Sequence, residues 1–220
     1  MEHTIAGSPG FAYLEVDLDP GESLVSEAGA MSSMAADLDI RTVFNGGFFS
    51  GLAKRFLGGE SMFVNHFTNS TREPRRVTLA AQVPGDIRLL DLRNETFYFQ
   101  PGSFLACTPG IKIGVGYAGI GSFVAREGLF RLKISGTGRV FYSAFGGILE
   151  KRISGSYIVD SGHLVGYDAG IQLRMKLAGG MFSSFFGGEG LVSRLEGNGR
   201  VLLQTRSLSG LVTWLNPKLR

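Results

Sequence analysis

Gly162 to Val201 reads GHLVGYDAGIQLRMKLAGGMFSSFFGGEGLVSRLEGNGRV, and it decides the fold because the chain writes it more than once. From Gly102 the sequence runs GSFLACTPGIKIGVGYAGIGSFVAREGLFRLKISGTGRV, and a more diverged copy opens at Gly21 with GESLVSEAGAMSSMAADL. Three anchors align the copies. Glycines eight apart come first: Gly21 and Gly29, Gly102 and Gly110, Gly162 and Gly170. A glutamate before an apolar pair follows: Glu60 with Met62-Phe63, Glu127 with Leu129-Phe130, Glu189 with Leu191-Val192. Arg76-Val77, Arg139-Val140 and Arg200-Val201 then open a strand-like run. Self-similarity in a fixed order is the signature of a repeat architecture. The units expected are about 11–92, 97–152 and 157–215, the first carrying insertions at 39–59 and 69–75.

Within a unit the period is two. Ile171-Gln172-Leu173-Arg174-Met175-Lys176-Leu177 alternates apolar and polar residues, and Leu129 to Ile134 keeps the same register, so one face is buried and the other meets water. Gly136-Thr137-Gly138 and Gly197-Asn198-Gly199 read as tight turns between hairpin strands. A unit of about 60 residues is marginal alone, so three are expected to share one body. The fold class expected is all-β: three pseudo-repeats of antiparallel β-sandwich units around a pseudo-threefold.

Composition agrees. Glycine is 33 of 220 residues and falls between apolar runs, as turn punctuation. The net charge of +3 permits an anionic partner without requiring one. The single cysteine, Cys107, excludes an intrachain disulfide framework and lies in the apolar run Phe104 to Cys107, as a small buried hydrophobe does. The opening MEHTIAGSPGF carries no secretory or transit pattern, and no run of 18 apolar residues is present, so a cytoplasmic protein is expected.

The most distinctive stretch is Phe44 to Glu60, FNGGFFSGLAKRFLGGE. Phe44, Phe48, Phe49, Leu52, Phe56 and Leu57 fall on one face of a short helix, leaving Lys54 and Arg55 off it. Copy three has a shorter counterpart with Phe182, Phe185 and Phe186 between two Gly-Gly pairs. Such segments either plug the open ends of β layers or present an aromatic face to a membrane, a ligand or a second subunit. Phe48, Phe49, Lys54, Arg55, Phe56, Phe182, Phe185 and Phe186 are therefore the candidate interaction surface.

Catalytic patterns are thin. Gly114-x-Gly116-x-x-Gly119 leads into a strand rather than a helix, so it is no dinucleotide fingerprint. His3, His66 and His163 form no close pair, and no metal or cofactor is expected. Glu60, Glu127 and Glu189 are the polar positions a pseudo-threefold would bring together, or else each pairs within its own copy, with Arg76, Arg139 and Arg200 as partners. Trp214 reads as a core or interface anchor.

The triplicated glycine unit, Gly46 to Arg55 and Gly59-Glu60-Ser61-Met62-Phe63 together resemble the "altered inheritance of mitochondria" biogenesis family, over nearly the whole chain. The resemblance implies a β fold of the type named for the tryptophan RNA-binding attenuation protein, in three subdomains. For the mitochondrial member it implies a role in inner-membrane organisation. It brings no catalytic residues. The function expected is a non-enzymatic, homo-oligomeric scaffold contacting a membrane surface or protein partner. Nucleic-acid binding is the alternative from fold analogy, and a small-ligand or enzyme site at the pseudo-threefold centre is the third.

Overall fold

Strand β2 (Tyr13–Leu18) shows how the pattern becomes structure: Leu14, Val16 and Leu18 are buried while Tyr13 is exposed. It pairs antiparallel with β7 (Arg75–Ala80), setting Leu14 opposite Leu79 and Val16 opposite Val77 on the buried face. On the wet face the same register sets Asp17 opposite Arg76, and the two form an ion pair at 2.7 Å. A slip of one residue would turn both apolar rows outward, so the hydrophobic pattern fixes the register and the exposed ion pair only marks it. The computed structural model describes residues 1–44, 63–117, 130–177 and 191–219.

Two antiparallel sheets result. β1 (Glu2–Ala6), β2, β7 and β4 (Met31–Met34) form the smaller, in the order β1-β2-β7-β4. The larger has eleven strands: β12 (Ile148–Asp160), β15 (Leu191–Gln204), β13 (Leu164–Asp168), β8 (Gly85–Phe99), β11 (Phe130–Phe145), β9 (Phe104–Cys107), β3 (Ser23–Glu27), β6 (Phe63–Thr68) and β5 (Asp39–Phe44) in that order. β10 (Ile111–Tyr117) pairs with β11 and β14 (Ile171–Leu177) with β15, off that path. One core joins the sheets, packing Leu14, Val16 and Val77 from the smaller against Phe67, Leu105 and Phe141 from the larger. A second, built on Phe97, Phe99 and Tyr142, and a third, built on Tyr167, Leu195 and Val201, are drawn from strands of the larger sheet. The class is thus all-β with antiparallel pairing, as the alternation predicts.

The two glycine triplets differ from expectation. Gly136-Thr137-Gly138 and Gly197-Asn198-Gly199 are not turns but lie inside the long strands β11 and β15. At each triplet the long strand exchanges one neighbour for another. β11 pairs with β10 from Phe130 to Gly136 and with β9 from Val140 to Tyr142. β15 pairs with β14 from Leu191 to Gly197 and with β13 from Val201 to Leu203. The glycines supply a bend, and β8 and β12 run along the opposite edges throughout. Opposite the first bend, β8 bulges at Asn94, whose φ is 58° and whose amide donates to Thr137 Oγ1 at 3.0 Å.

Phe44 also departs from the helical reading of its segment, since it closes β5 opposite Phe63. Between β6 and β7 the chain is closed by Asn69. This buried side chain donates to Leu18 O and Glu73 O, both at 2.8 Å, and accepts from the Thr71 amide at 2.9 Å. A buried amide of this kind satisfies the backbone of a loop that has no strand partner.

Candidate functional site

Three antiparallel hairpins frame the stretches singled out by the sequence. Their last described pairs are Phe44 with Phe63, Tyr117 with Phe130, and Leu177 with Leu191. Phe48, Phe49, Lys54, Arg55, Phe56 and Glu60 fall in the first connecting segment, Glu127 in the second, and Phe182, Phe185, Phe186 and Glu189 in the third. All of these lie outside the described residues.

The described residues at the base of the second hairpin form an aromatic–cationic seam. Arg131 follows the Tyr117–Phe130 pair directly, and its guanidinium donates to the Tyr167 hydroxyl and sits 5.3 Å from the ring centroid. Tyr98 faces Tyr167 across the β8–β13 ladder, centroid to centroid 5.6 Å. Burial pushes the Tyr167 hydroxyl up to about 12, so at neutral pH it is a phenol and accepts from Arg131 as a neutral group. The seam thus joins β8, β11 and β13 at the second hairpin.

The arginines of the third anchor have their own described partners. Arg76 holds Asp17 and Glu15. Arg200 binds Asp168 at 2.9 Å and Glu95 at 3.6 Å, above the Phe97 ring, and its backbone amide donates to Asp168 Oδ2 at 2.6 Å. Arg139 shares its guanidinium with His3 Nδ1 at 3.1 Å and Met1 O at 3.1 Å, and its amide donates to Thr108 Oγ1 at 3.0 Å. The described acidic partners of Arg76 are thus Asp17 and Glu15 and those of Arg200 are Asp168 and Glu95, while Glu60, Glu127 and Glu189 lie outside the described residues. His163 Nδ1 lies 2.7 Å from Gln204 O, a backbone contact that makes it structural. Cys107 is fully buried and its thiol is pushed up to about 12 by that burial, so it behaves as the hydrophobe expected. Among the described residues, no three His, Cys, Asp or Glu side chains gather as a metal would require.

His3 makes a pH prediction. Burial first, and then the Arg139 charge, hold its imidazole below the ordinary value, while Asp91 opposes this weakly. A base whose folded value is depressed binds fewer protons folded than unfolded. Stability is then full above the unfolded value near ~6.5 and is lost as pH falls through that value towards the folded one. Between about pH 7.5 and 5.5 the urea midpoint of the wild type should fall further than that of His3→Gln. Equal slopes would remove His3 from the acid response.

Trp214, read as a core or interface anchor, is not in the core. It is 59% exposed on α1 (Leu208–Leu215), the one α-helix among the described residues, which sequence reading missed. Its signal was available: Ser207 is an N-cap whose hydroxyl accepts from the Gly210 amide at 3.2 Å, and Leu208, Leu211, Val212 and Leu215 follow at helical spacing. No helix among the described residues is long and apolar enough to cross a membrane.

The model of the family described as "Mitochondrial biogenesis AIM24" matches residues 3–206. An uncharacterised protein of Streptococcus pyogenes serotype M6 is 28% identical over 218 residues, covering 94% of this chain and 87% of that protein. The crystal structure of a Streptococcus pyogenes protein superposes with a TM-score of 0.80 at 25% identity, over 99% of each chain. With the family model spanning almost the whole described β body, the chain belongs to the mitochondrial biogenesis AIM24 family.

Proposed function

We propose that this chain is a non-enzymatic binding scaffold of the cytoplasm, acting as a homo-oligomer. Its phenylalanine-rich segments are the contact surface, for a membrane or for a protein partner. The observation that carries this reading is the set of three antiparallel hairpins ending at Phe44–Phe63, Tyr117–Phe130 and Leu177–Leu191. In sequence, a glycine-rich segment with at least one phenylalanine links the two strands of every one of them.

The same reading takes the body as three related units of the tryptophan RNA-binding attenuation type about a pseudo-threefold. Matching details of the second and third units support it. Thr108 and Asp168 each accept from the amide of the third-anchor arginine, and β11 and β15 each exchange neighbours at a glycine triplet.

The test is mass by light scattering on wild type and on Phe48→Ser/Phe49→Ser, followed by vesicle co-sedimentation of both. The expected result is an oligomer that either dissociates in the double variant or keeps its mass and loses vesicle binding at least about tenfold. A double variant that matches the wild type in both assays would defeat the proposal.

A further inference from the structure

The C-terminal helix α1 leaves its apolar side without a protein partner among the described residues. Leu208, Leu211, Val212 and Leu215 stand at i, i+3, i+4 and i+7, with Trp214 beside them, and all five are exposed. Ser209, Gly210 and Thr213 occupy the opposite side. The helix is nevertheless held in place. Its N-cap Ser207 and Ser209 sit against Gly162, where an added Cβ would fall 2.4 Å from Ser207 Oγ, and the two hydroxyls bond each other at 2.7 Å. The anchored end is polar and the exposed body is apolar, so the helix is fixed at one end to the Ser161–His163 turn between β12 and β13 rather than packed along the sheet.

Charge says what covers it. After Glu196 the sequence has no aspartate or glutamate, whereas Arg206, Lys218 and Arg220 bracket the helix. Arg206 and Lys218 are exposed. Lys218 Nζ lies 4.6 Å from the Trp214 ring centroid, so cation and aromatic share one end of the stripe. An apolar stripe carrying a tryptophan and flanked in sequence by cations matches the boundary of an anionic bilayer. There the indole sits at headgroup depth and lysine and arginine reach the phosphates. Facing a second copy of itself, the same surface would oppose like charges.

We infer that α1 is an interfacial anchor that lays Leu211, Val212, Trp214 and Leu215 into the headgroup layer of an anionic lipid membrane, with Arg206 and Lys218 on the phosphates. This surface is separate from the phenylalanine-rich segments and does not rest on their proposed role.

Trp214 is the only tryptophan in the chain, so it reports on its own surroundings. The full chain is titrated with phosphatidylglycerol vesicles and with phosphatidylcholine vesicles, reading Trp214 emission and co-sedimentation. The expected result is a blue shift and pelleting with phosphatidylglycerol, severalfold weaker with phosphatidylcholine and in high salt. Leu211→Ser/Leu215→Ser should cut the partition coefficient at least about tenfold with Trp214 retained as the probe. Lys218→Glu, a surface change that spares folding, should weaken binding severalfold. Phe48→Ser/Phe49→Ser should still show the blue shift, whatever its effect on mass. Emission that stays solvent-like with phosphatidylglycerol overturns the inference. So does a blue shift that depends on protein concentration without lipid, which would place a second copy on the helix. Pelleting lost in the phenylalanine variant but kept in the helix variant would sink this anchor and leave the phenylalanine proposal standing.

Discussion

Gly197→Ala should lower stability by about 3 kcal/mol and the melting temperature by about 10 °C. Two costs combine. Gly197 has a φ of +137°, a backbone region that residues with a Cβ seldom enter. The added carbon would also lie 2.5 Å from Gly170 O and 3.3 Å from Ile171 Cα. Both neighbours are backbone, Ile171 in the β14–β15 ladder, where it pairs with Gly197, and Gly170 in the turn just before it, so no side chain can swing away. The ladder must open or β15 must straighten. Straightening would end the passage from β14 to β13 and disturb the core at Leu195 and Val201, both fully buried. Asn198→Ala is the control, because Asn198 is exposed at the same bend and its change should stay within about 0.5 kcal/mol. Urea denaturation of the three proteins measures this. A Gly197 variant as stable as the control would mean that the bend does not require a residue without a Cβ.

That bend marks the limit of what alternation reveals. The strands β2, β7 and β14 were legible because a strand buried on one face writes its burial as a period of two. The same period carried the all-β class and the antiparallel pairing. It does not tell a long strand with a bend from two short strands with a turn, because both write glycine between two alternating runs. The difference lies in the neighbours: β9 and β10 share one edge of β11, and that arrangement is a property of the assembled sheet. The seam of Arg131, Tyr98 and Tyr167 was hidden for the same reason, since its members come from β11, β8 and β13. Helix α1 is a different case. Its cap and spacing were in plain sight, but eight residues ending near Pro217 are too short for periodicity to stand out against a β background. The residues proposed for interaction, Phe48 to Phe56 and Phe182 to Phe186, were found by helical spacing and by their equivalent places in the repeat, and neither signal says where a segment points.

Phe97→Ala should cost about 4 kcal/mol, the largest single effect expected in this chain. Phe97 is fully buried near the C-terminal end of β8, where the strand is paired on both sides: Ile134 of β11 lies opposite on one edge and Asp168 of β13 on the other. Its ring packs against Phe99 at a centroid distance of 4.8 Å and carries the Arg200 guanidinium 5.8 Å above it. Truncation removes the apolar contacts and leaves a cavity that the two flanking ladders hold open, so relaxation recovers little. It also bares the underside of the Arg200–Asp168 pair to the void. Phe97→Leu should cost only about 1.5 kcal/mol, since most of the volume survives. Gly166 sharpens the test. A Cβ there would meet the Phe97 ring edge and the Tyr98 carbonyl, both at 2.7 Å. Shortening the ring removes the first clash and leaves the second, which is backbone, together with the Phe99 ring edge at 3.0 Å. Gly166→Ala should therefore remain destabilising in the Phe97→Leu background, with the penalty reduced but not abolished. If the double variant is as stable as Phe97→Leu alone, β8 and β13 have enough give at this crossing to admit a methyl group. The rigidity assigned here to their pairing would then be wrong.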